Sequence, residues 1–143
     1  MKPALLALVF APIVSFAQIR VESKPQTIVD VGYSLWPFKI DRIVVEDDTS
    51  YNLVFRNTEY REIVDLKSIQ LDKDKLKELG EAFAKALTVD MQQEVWTGSI
   101  ALTREKVTFA GICVKVYYDH AFGEVKEKRA QVLIAAIKKE CPL

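Results

Sequence analysis

The sequence predicts an α+β fold: a two-layer sandwich in which a mostly antiparallel sheet of about five to seven strands carries two helices packed on one face. Three observations predict it. Several segments, such as 51–56, alternate apolar and polar residues as half-buried strands do. The segments 73–87 and 131–140 instead repeat apolar residues at helical spacing. The chain of 143 residues also falls in the usual size range of one domain.

The N-terminal segment 1–17 is typical of a cleavable secretory signal. Its start is basic, its middle is apolar, and Ser15 and Ala17 place small side chains three and one residues before a cut ahead of Gln18. The apolar run is too short to cross a bilayer comfortably. We therefore expect a signal peptide at 1–17 and a single secreted α+β domain at 18–143, soluble in the periplasm or outside the cell.

The charge balance excludes two classes of partner. The chain has 20 Lys and Arg against 20 Asp and Glu, and removal of the signal, which contains Lys2, leaves a net charge of −1. A dedicated nucleic-acid binder carries a basic stripe, and a protein docking on anionic lipid needs a basic patch. We therefore expect no nucleic-acid partner and no membrane insertion after signal cleavage. No cofactor is expected either.

In the first half, strands are expected at 26–31 and 39–45. Between them lies the most aromatic stretch, 33–38, where Pro37 cannot donate to a sheet ladder and so favours an edge, a bulge or a loop. The acids and hydroxyls of 46–50 predict a turn.

The next elements are a hairpin and a helix. The strand 51–56 leads to a hairpin tip at 57–59, and the returning arm 60–71 changes its alternation midway, as a β-bulge would cause. Asp72 is placed to cap the helix 73–87.

The second half repeats the order of strands followed by a helix. Its expected elements are a strand, a second strand, a turn, a short strand or first helical turn, and a helix, at 94–103, 107–118, 119–123, 124–128 and 131–140. Trp96 is expected on one face with Ile100 and Leu102. Residue matches between the halves are too few to establish a duplication.

Cys113 and Cys141 are an even pair in a chain expected to be exported, which favours one disulfide. An extended strand from Tyr118 back to Cys113 rises about 17 Å. A returning helix would climb about 20 Å and bring the two sulfurs level. The alternative is a buried free Cys113 and a frayed Cys141.

Catalytic and metal signatures are weak. His120, the only histidine, follows Asp119 at a strand end, and the pair is the one candidate for a small hydrolase. Cys113 lies too far along an extended segment to form a nucleophilic pair with it. The scattered glycines form no phosphate loop, and the acids at 46–48 lack the spacing of a calcium loop, so no metal site is expected.

Aromatic residues are the better candidates for a binding surface. Tyr33, Trp36 and Phe38 could form an exposed recognition patch, because Tyr and Trp supply a large contact area at low entropic cost. Tyr117 and Tyr118 are neighbours on a strand and so point to opposite faces. Tyr118 and Trp96 are expected to serve ordinary packing, whereas Tyr117 faces away from the core.

These observations favour a non-catalytic binding or assembly module of the bacterial envelope or extracellular space. Its partner would be another envelope or extracellular protein, or a small ligand. Two alternatives stay open. One is a secreted protein inhibitor that presents a rigid loop at 57–60; the other is a small hydrolase that uses Asp119 and His120.

Overall fold

The computed structural model describes residues 24–33 and 35–142. These ranges contain eight strands and two helices. In chain order they are β1 (Gln26–Asp30), β2 (Phe38–Val45), β3 (Asp48–Arg56), β4 (Leu66–Leu71), α1 (Lys73–Ala86), β5 (Val95–Thr97), β6 (Ile100–Val107), β7 (Gly111–Tyr118), β8 (Ala121–Lys126) and α2 (Glu127–Glu140). The expected signal at 1–17 lies outside the described residues. Neither described helix is long and apolar enough to cross a membrane.

The α+β class is confirmed, but the strands form two sheets rather than one of five to seven strands. β1 to β4 make one antiparallel sheet and β5 to β8 make a second, each with its strands in sequential order. Strand boundaries account for part of the difference. The segment 94–103 contains β5 and the first half of β6, and β8 begins at Ala121, within the expected turn 119–123.

The hairpin in 94–103 reverses the expected direction of Trp96. β5 and β6 are joined by Gly98 and Ser99, and Gly98 has the positive φ of 56° that a tight turn of this kind requires. Trp96 pairs with Ala101, not with Ile100. Trp96 therefore lies on the sheet face opposite to Ile100, and its expected place in the core is wrong.

The expected bulge in 60–71 is a loop. β4 begins only at Leu66, and 57–65 connects it to β3 without strand structure. The backbone N–H of Asn57 donates to the carbonyl of Asp65 at 2.7 Å, which closes the loop. The change of alternation in this segment thus marks the end of the loop.

The two helices begin in different ways. Asp72 accepts a hydrogen bond from the backbone N–H of Lys75 at 2.8 Å and caps α1, as expected. α2 has no side-chain cap and begins directly after β8, at Glu127 and so four positions before the predicted start. Its amphipathic pattern continues into this first turn, where Ala130 is buried.

The two halves are a structural repeat of four antiparallel strands followed by a helix. Each helix has 14 residues and buries its fourth, seventh, eighth and eleventh positions. These are Leu76, Leu79, Gly80 and Phe83 in α1, and Ala130, Leu133, Ile134 and Ile137 in α2. Arg42 and Arg104 likewise occupy the fifth position of the eight-residue strands β2 and β6.

One hydrophobic core joins the inner faces of both sheets to both helices. The helices contact each other, and each of them contacts both sheets. At their crossing, a Cβ atom on Gly80 would lie 2.8 Å from Cγ2 of Ile137, so only glycine allows this approach. Gly80 marks close packing against α2, not against a sheet.

The sheets meet where β8 lies against β2 and β3. A Cβ on Gly123 would lie 2.7 Å from the ring of Phe55 and 3.2 Å from that of Phe38. These rings are stacked with their centroids 5.8 Å apart, and Phe83 of α1 packs edge-on against Phe38. Gly123 thus leaves room on the second sheet for aromatic residues of the first.

Candidate binding surface

An aromatic row crosses the outer face of the second sheet, the face turned away from the helices. Trp96, Ala101, Tyr117 and Phe122 are in register on four neighbouring strands. Side chains in register on one face of a sheet are in contact distance. We call this row the aromatic face.

Trp96 is the most accessible member of the aromatic face. Its exposed fraction is 61%, whereas Ala101 beside it is buried. The indole Nε1–H donates to the Glu94 carboxylate at 3.0 Å, which fixes the edge of the ring and leaves much of its surface free. An exposed but oriented tryptophan loses little conformational entropy when it binds a partner.

Tyr117 is oriented by a polar cluster beside the aromatic face. Its hydroxyl donates to Glu105 at 2.9 Å, and Thr103 donates to the same carboxylate at 2.8 Å. Burial and the Glu105 carboxylate raise the pKa of Tyr117 to about 12, so the phenol stays protonated at neutral pH. Its ring centroid lies 5.6 Å from that of Phe122.

The aromatic face forms the floor of a shallow depression of about 390 Å³. Glu59 and Ser99 stand at its rim, together with Asp119 and His120 of the turn between β7 and β8. No Lys or Arg is among the described residues that line it. A second depression of about 500 Å³ lies on the other side of Phe122 and includes Tyr33, Trp36 and Arg61.

Tyr33 and Trp36 border the second depression and are held by two arginines. Tyr33 and Trp36 exchange backbone hydrogen bonds of 3.0 and 2.8 Å. Arg129 of α2 donates to the Val31 carbonyl at 3.0 Å and lies 4.4 Å from the Tyr33 ring centroid. Arg56 lies 3.8 Å from the Trp36 ring centroid.

Arg56 also connects Leu35 and Trp36 to the loop 57–65. Its Nη1 donates to the carbonyl of Leu35 at 2.8 Å, and its Nη2 donates to that of Arg61 at 3.0 Å. The side chain is buried, so it acts as an internal strut between the two loops that flank Phe122. A planar guanidinium suits such a double contact.

The loop 57–65 is fixed to β8 by Asn57. The side-chain oxygen of Asn57 accepts from the backbone N–H groups of Glu59 and Phe122, both at 3.2 Å. The N–H of Thr58 donates to the Phe122 carbonyl at 2.7 Å. Asn57 is buried, and these hydrogen bonds hold the start of the loop against the second sheet.

The structure separates the four predicted binding residues. Tyr33 and Trp36 lie beside each other at the second depression, and Tyr117 lies on the aromatic face. Phe38 instead belongs to the core with an exposed fraction of 2%, because the strand alternation that resumes there directs it toward Phe55 and Phe83. Tyr118 packs against the core, opposite to Tyr117, as predicted.

The predicted disulfide is wrong: Cys113 and Cys141 are both free and buried. Cys113 pairs in register with Glu105 and Lys126 on the outer face of the second sheet. Its neighbour Val114 faces the core that contains α2, and Cys141 ends that helix. The two sulfurs are therefore on opposite faces of the second sheet. They cannot bond, even though the rises of the strand and the helix were expected to bring them to the same height. Burial raises the pKa of both thiols.

Asp119 and His120 form the two-residue turn between β7 and β8. Both have positive φ, of 48° and 58°, as hairpin turns of type I′ require. Both side chains are exposed at the rim of the depression.

Sequence reasoning missed two features of the surface. The polar residues of 119–123 predict a turn at Phe122, although Phe122 and Val125 fall within a segment that pairs fully with β7. Phe109 is fully exposed at the tip of the β6–β7 hairpin, with a φ of 66°. A bulky residue in this left-handed region is uncommon.

The described residues contain no cluster of three or more His, Cys, Asp or Glu side chains that could hold a metal ion. No protein-family model matches this chain, and no curated protein is significantly similar to it in sequence.

Proposed function

We propose that this protein is a non-catalytic binding module of the bacterial envelope or extracellular space, and that the aromatic face is its contact surface for another protein. Export by the signal at 1–17 is part of the proposal. It predicts a mature N-terminus at Gln18, which N-terminal sequencing of the protein from its own cells would test.

The observation that carries the proposal is the contrast between the two repeats. Matching the registers of the sheets places Trp96, Tyr117 and Phe122 at the positions of Asp30, Val54 and Ser68. Both sheets use their inner faces for the same core, so packing does not require these three aromatic residues on the outer face. Aromatic side chains that the fold does not use are typical of contact surfaces.

The surroundings of the aromatic face support a preformed site. Asn57 fixes the loop 57–65, Arg56 holds Leu35 and Trp36, and Arg129 lies over Tyr33. Surfaces that are already ordered lose less entropy on association.

The test is crosslinking in the cells that make the protein, with the full chain carrying a C-terminal tag and captured proteins identified by mass spectrometry. We expect one dominant partner with the wild type and a large loss of it with Trp96→Ala and Phe122→Ala. Ser68→Ala, at the position on the first sheet equivalent to Phe122, is the matched control and should retain the partner.

Equal capture by Trp96→Ala, Phe122→Ala and Ser68→Ala would contradict the proposal. Circular dichroism of each variant keeps a binding defect separate from a folding defect. If nothing is captured but His120→Ala abolishes turnover in a hydrolase screen, the hydrolase alternative replaces the binding module.

A second candidate function, inhibition of another protein, is favoured by the β6–β7 hairpin rather than by 57–60. Phe109 extends fully exposed from a turn of three residues, whereas the equivalent turn between β2 and β3 has only Glu46 and Asp47. An apolar tip on a hairpin is suited to enter a pocket of a target protein. Loss of the captured partner with Phe109→Ser, but not with Trp96→Ala, would favour this function.

A further inference from the structure

We propose that Trp96 and the depression around it accept a positively charged side chain, arginine in particular, from the partner protein. The inference rests on the proposed function and deepens it, because it names the chemistry that the aromatic face recognises.

The first argument is that three neighbouring aromatic rings already have cations of the chain itself. Arg56 lies over Trp36, Arg129 and Lys126 lie over Tyr33, and Lys115 lies 4.9 Å from the Phe122 ring centroid. Among the described residues, no Lys or Arg lies over Trp96. Tryptophan binds a cation more strongly than tyrosine or phenylalanine does, so the exposed surface of Trp96 is a favourable place for one.

The second argument is charge complementarity. The depression has Glu59 and Asp119 at its rim, and Glu94 lies against the indole edge. No Lys or Arg lines the depression within the described residues, and Lys115 on the neighbouring row is drawn toward Glu105 and Glu124 at 3.8 and 3.9 Å. A cation that stacks on Trp96 would therefore face Glu59, Glu94 and Asp119, while Lys115 is paired with carboxylates of its own.

The third argument favours arginine over lysine. The site offers a flat ring surface and several separate oxygen acceptors, including Ser99 at the rim. A guanidinium stacks on an aromatic surface and still donates in its own plane, whereas an ammonium donates from a single point.

The experiment uses protein purified as its cells process it, labelled with ¹⁵N and titrated with three capped tripeptides. Their central residues are arginine, lysine and the uncharged norleucine. We expect the arginine peptide to shift the indole N–H signal of Trp96 and the amide signals of Tyr117 and Phe122, with weaker binding by lysine and none by norleucine. Amide signals of the first sheet, such as those of Ser68 and Gln70, should not move.

Variants separate the ring from the charges. Trp96→Ala should weaken the arginine peptide about two- to fivefold, as loss of an exposed cation–π contact does. Glu59→Gln and Asp119→Asn should weaken it further and reduce its salt dependence. Asn tolerates the left-handed backbone at 119, so folding is preserved there. Glu81→Gln, on the exposed face of α1, is the control carboxylate.

Equal binding of the norleucine and arginine peptides would overturn the inference, as would the absence of any shift at Trp96. Either result leaves the proposed function to the crosslinking experiment, where loss of the partner with Trp96→Ala is independent of what the partner presents. Capture of the partner by Trp96→Ala at the wild-type level would instead overturn the aromatic face as the binding surface.

Discussion

The outer faces of the two sheets can be compared strand by strand, because their registers match. Across the first sheet the row consists of Asp30, Lys39, Val54 and Ser68. Across the second it consists of Trp96, Ala101, Tyr117 and Phe122. The same backbone thus displays a mostly polar face on one repeat and an aromatic face on the other.

The inner faces show what the fold itself demands. Four buried helix positions coincide in α1 and α2, and the inner residues of both sheets share one core. Where the repeats agree, packing explains the residues; where they differ on the outside, packing does not. The comparison therefore separates residues that serve folding from residues available for binding, without any related sequence.

The largest expected effect comes from exchanging an inner position between the repeats. Gly123 occupies the place that Ile69 occupies in the first sheet. Gly123→Ile would push a branched side chain into the rings of Phe55 and Phe38, so we expect a loss of about 4 kcal/mol or more in the free energy of unfolding, measured by urea denaturation. Ile69→Val, the control at the equivalent position, should cost about 1 kcal/mol. Wild-type stability of Gly123→Ile would mean that the sheets do not meet there.

A smaller effect is expected at the helix crossing, where the repeats also differ. Gly80 faces Ile137, whereas Ile134 holds the equivalent place in α2. In an exposed helix, Gly80→Ala would stabilise by about 1 kcal/mol. Here the new methyl meets Cγ2 of Ile137, and overpacking of about 1–3 kcal/mol reverses the sign.

A double-mutant cycle checks that reason. Ile137→Leu removes Cγ2, so Gly80→Ala should cost less in that background than in the wild type, as measured by thermal or urea denaturation. An additive cycle, or a stabilised Gly80→Ala single variant, would show that the helices do not approach closely at Gly80.

The next effect, on the pH dependence of stability, compares one tyrosine from each repeat. The Tyr51 hydroxyl donates to Glu140 at 3.1 Å and joins the first sheet to α2, while the Tyr117 hydroxyl bonds Glu105 within the second sheet. Burial, followed by the neighbouring carboxylate, raises the pKa of Tyr51 and of Tyr117 to about 12. An unfolded tyrosine titrates near about 10, so the folded state keeps these protons longer. The resulting stability is complete below about pH 10 and is lost as the pH rises toward 12.

Tyr51→Phe and Tyr117→Phe should therefore each reduce the loss of stability between about pH 10 and 12, which denaturant unfolding at several pH values measures. Tyr60→Phe, at an exposed tyrosine, is the control. An unchanged slope in both variants would mean that neither phenol is held by its carboxylate in the folded state.

Much of the fold could be predicted from local patterns. Asp72 and the apolar spacing that follows it define α1, and the opposite directions of Tyr117 and Tyr118 follow from strand geometry alone. The same rule also contradicted the expected disulfide, since Cys113 cannot share a sheet face with Val114. The rise of strand and helix sets the heights of the two sulfurs, whereas the direction of the side chains sets their faces.

The binding surface was harder to predict because it depends on tight turns. The turn at Gly98 reverses the chain within 94–103, so Trp96 lies on the solvent face and not on the core face. The turn at Asp119 and His120 has only two residues, so β8 starts earlier than the polar residues of this segment indicate. Gly-Ser between two short apolar runs is a hairpin signal, so the first could have been found. The role of Arg56 as a strut between two loops depends on contacts across the fold, and no local pattern reveals it.

The smallest expected effect on stability is also the strictest test of the comparison. Trp96→Asp gives the second sheet the residue of the first at the equivalent position. Because Trp96 is 61% exposed and makes one side-chain hydrogen bond, to Glu94, the free energy of unfolding should change by only about 0.5 kcal/mol in urea denaturation. The same substitution should remove the captured partner, because the new carboxylate neither stacks nor offers apolar area. A large loss of stability would instead assign Trp96 to the fold, and the aromatic face would then be packing that the first repeat achieves by other means.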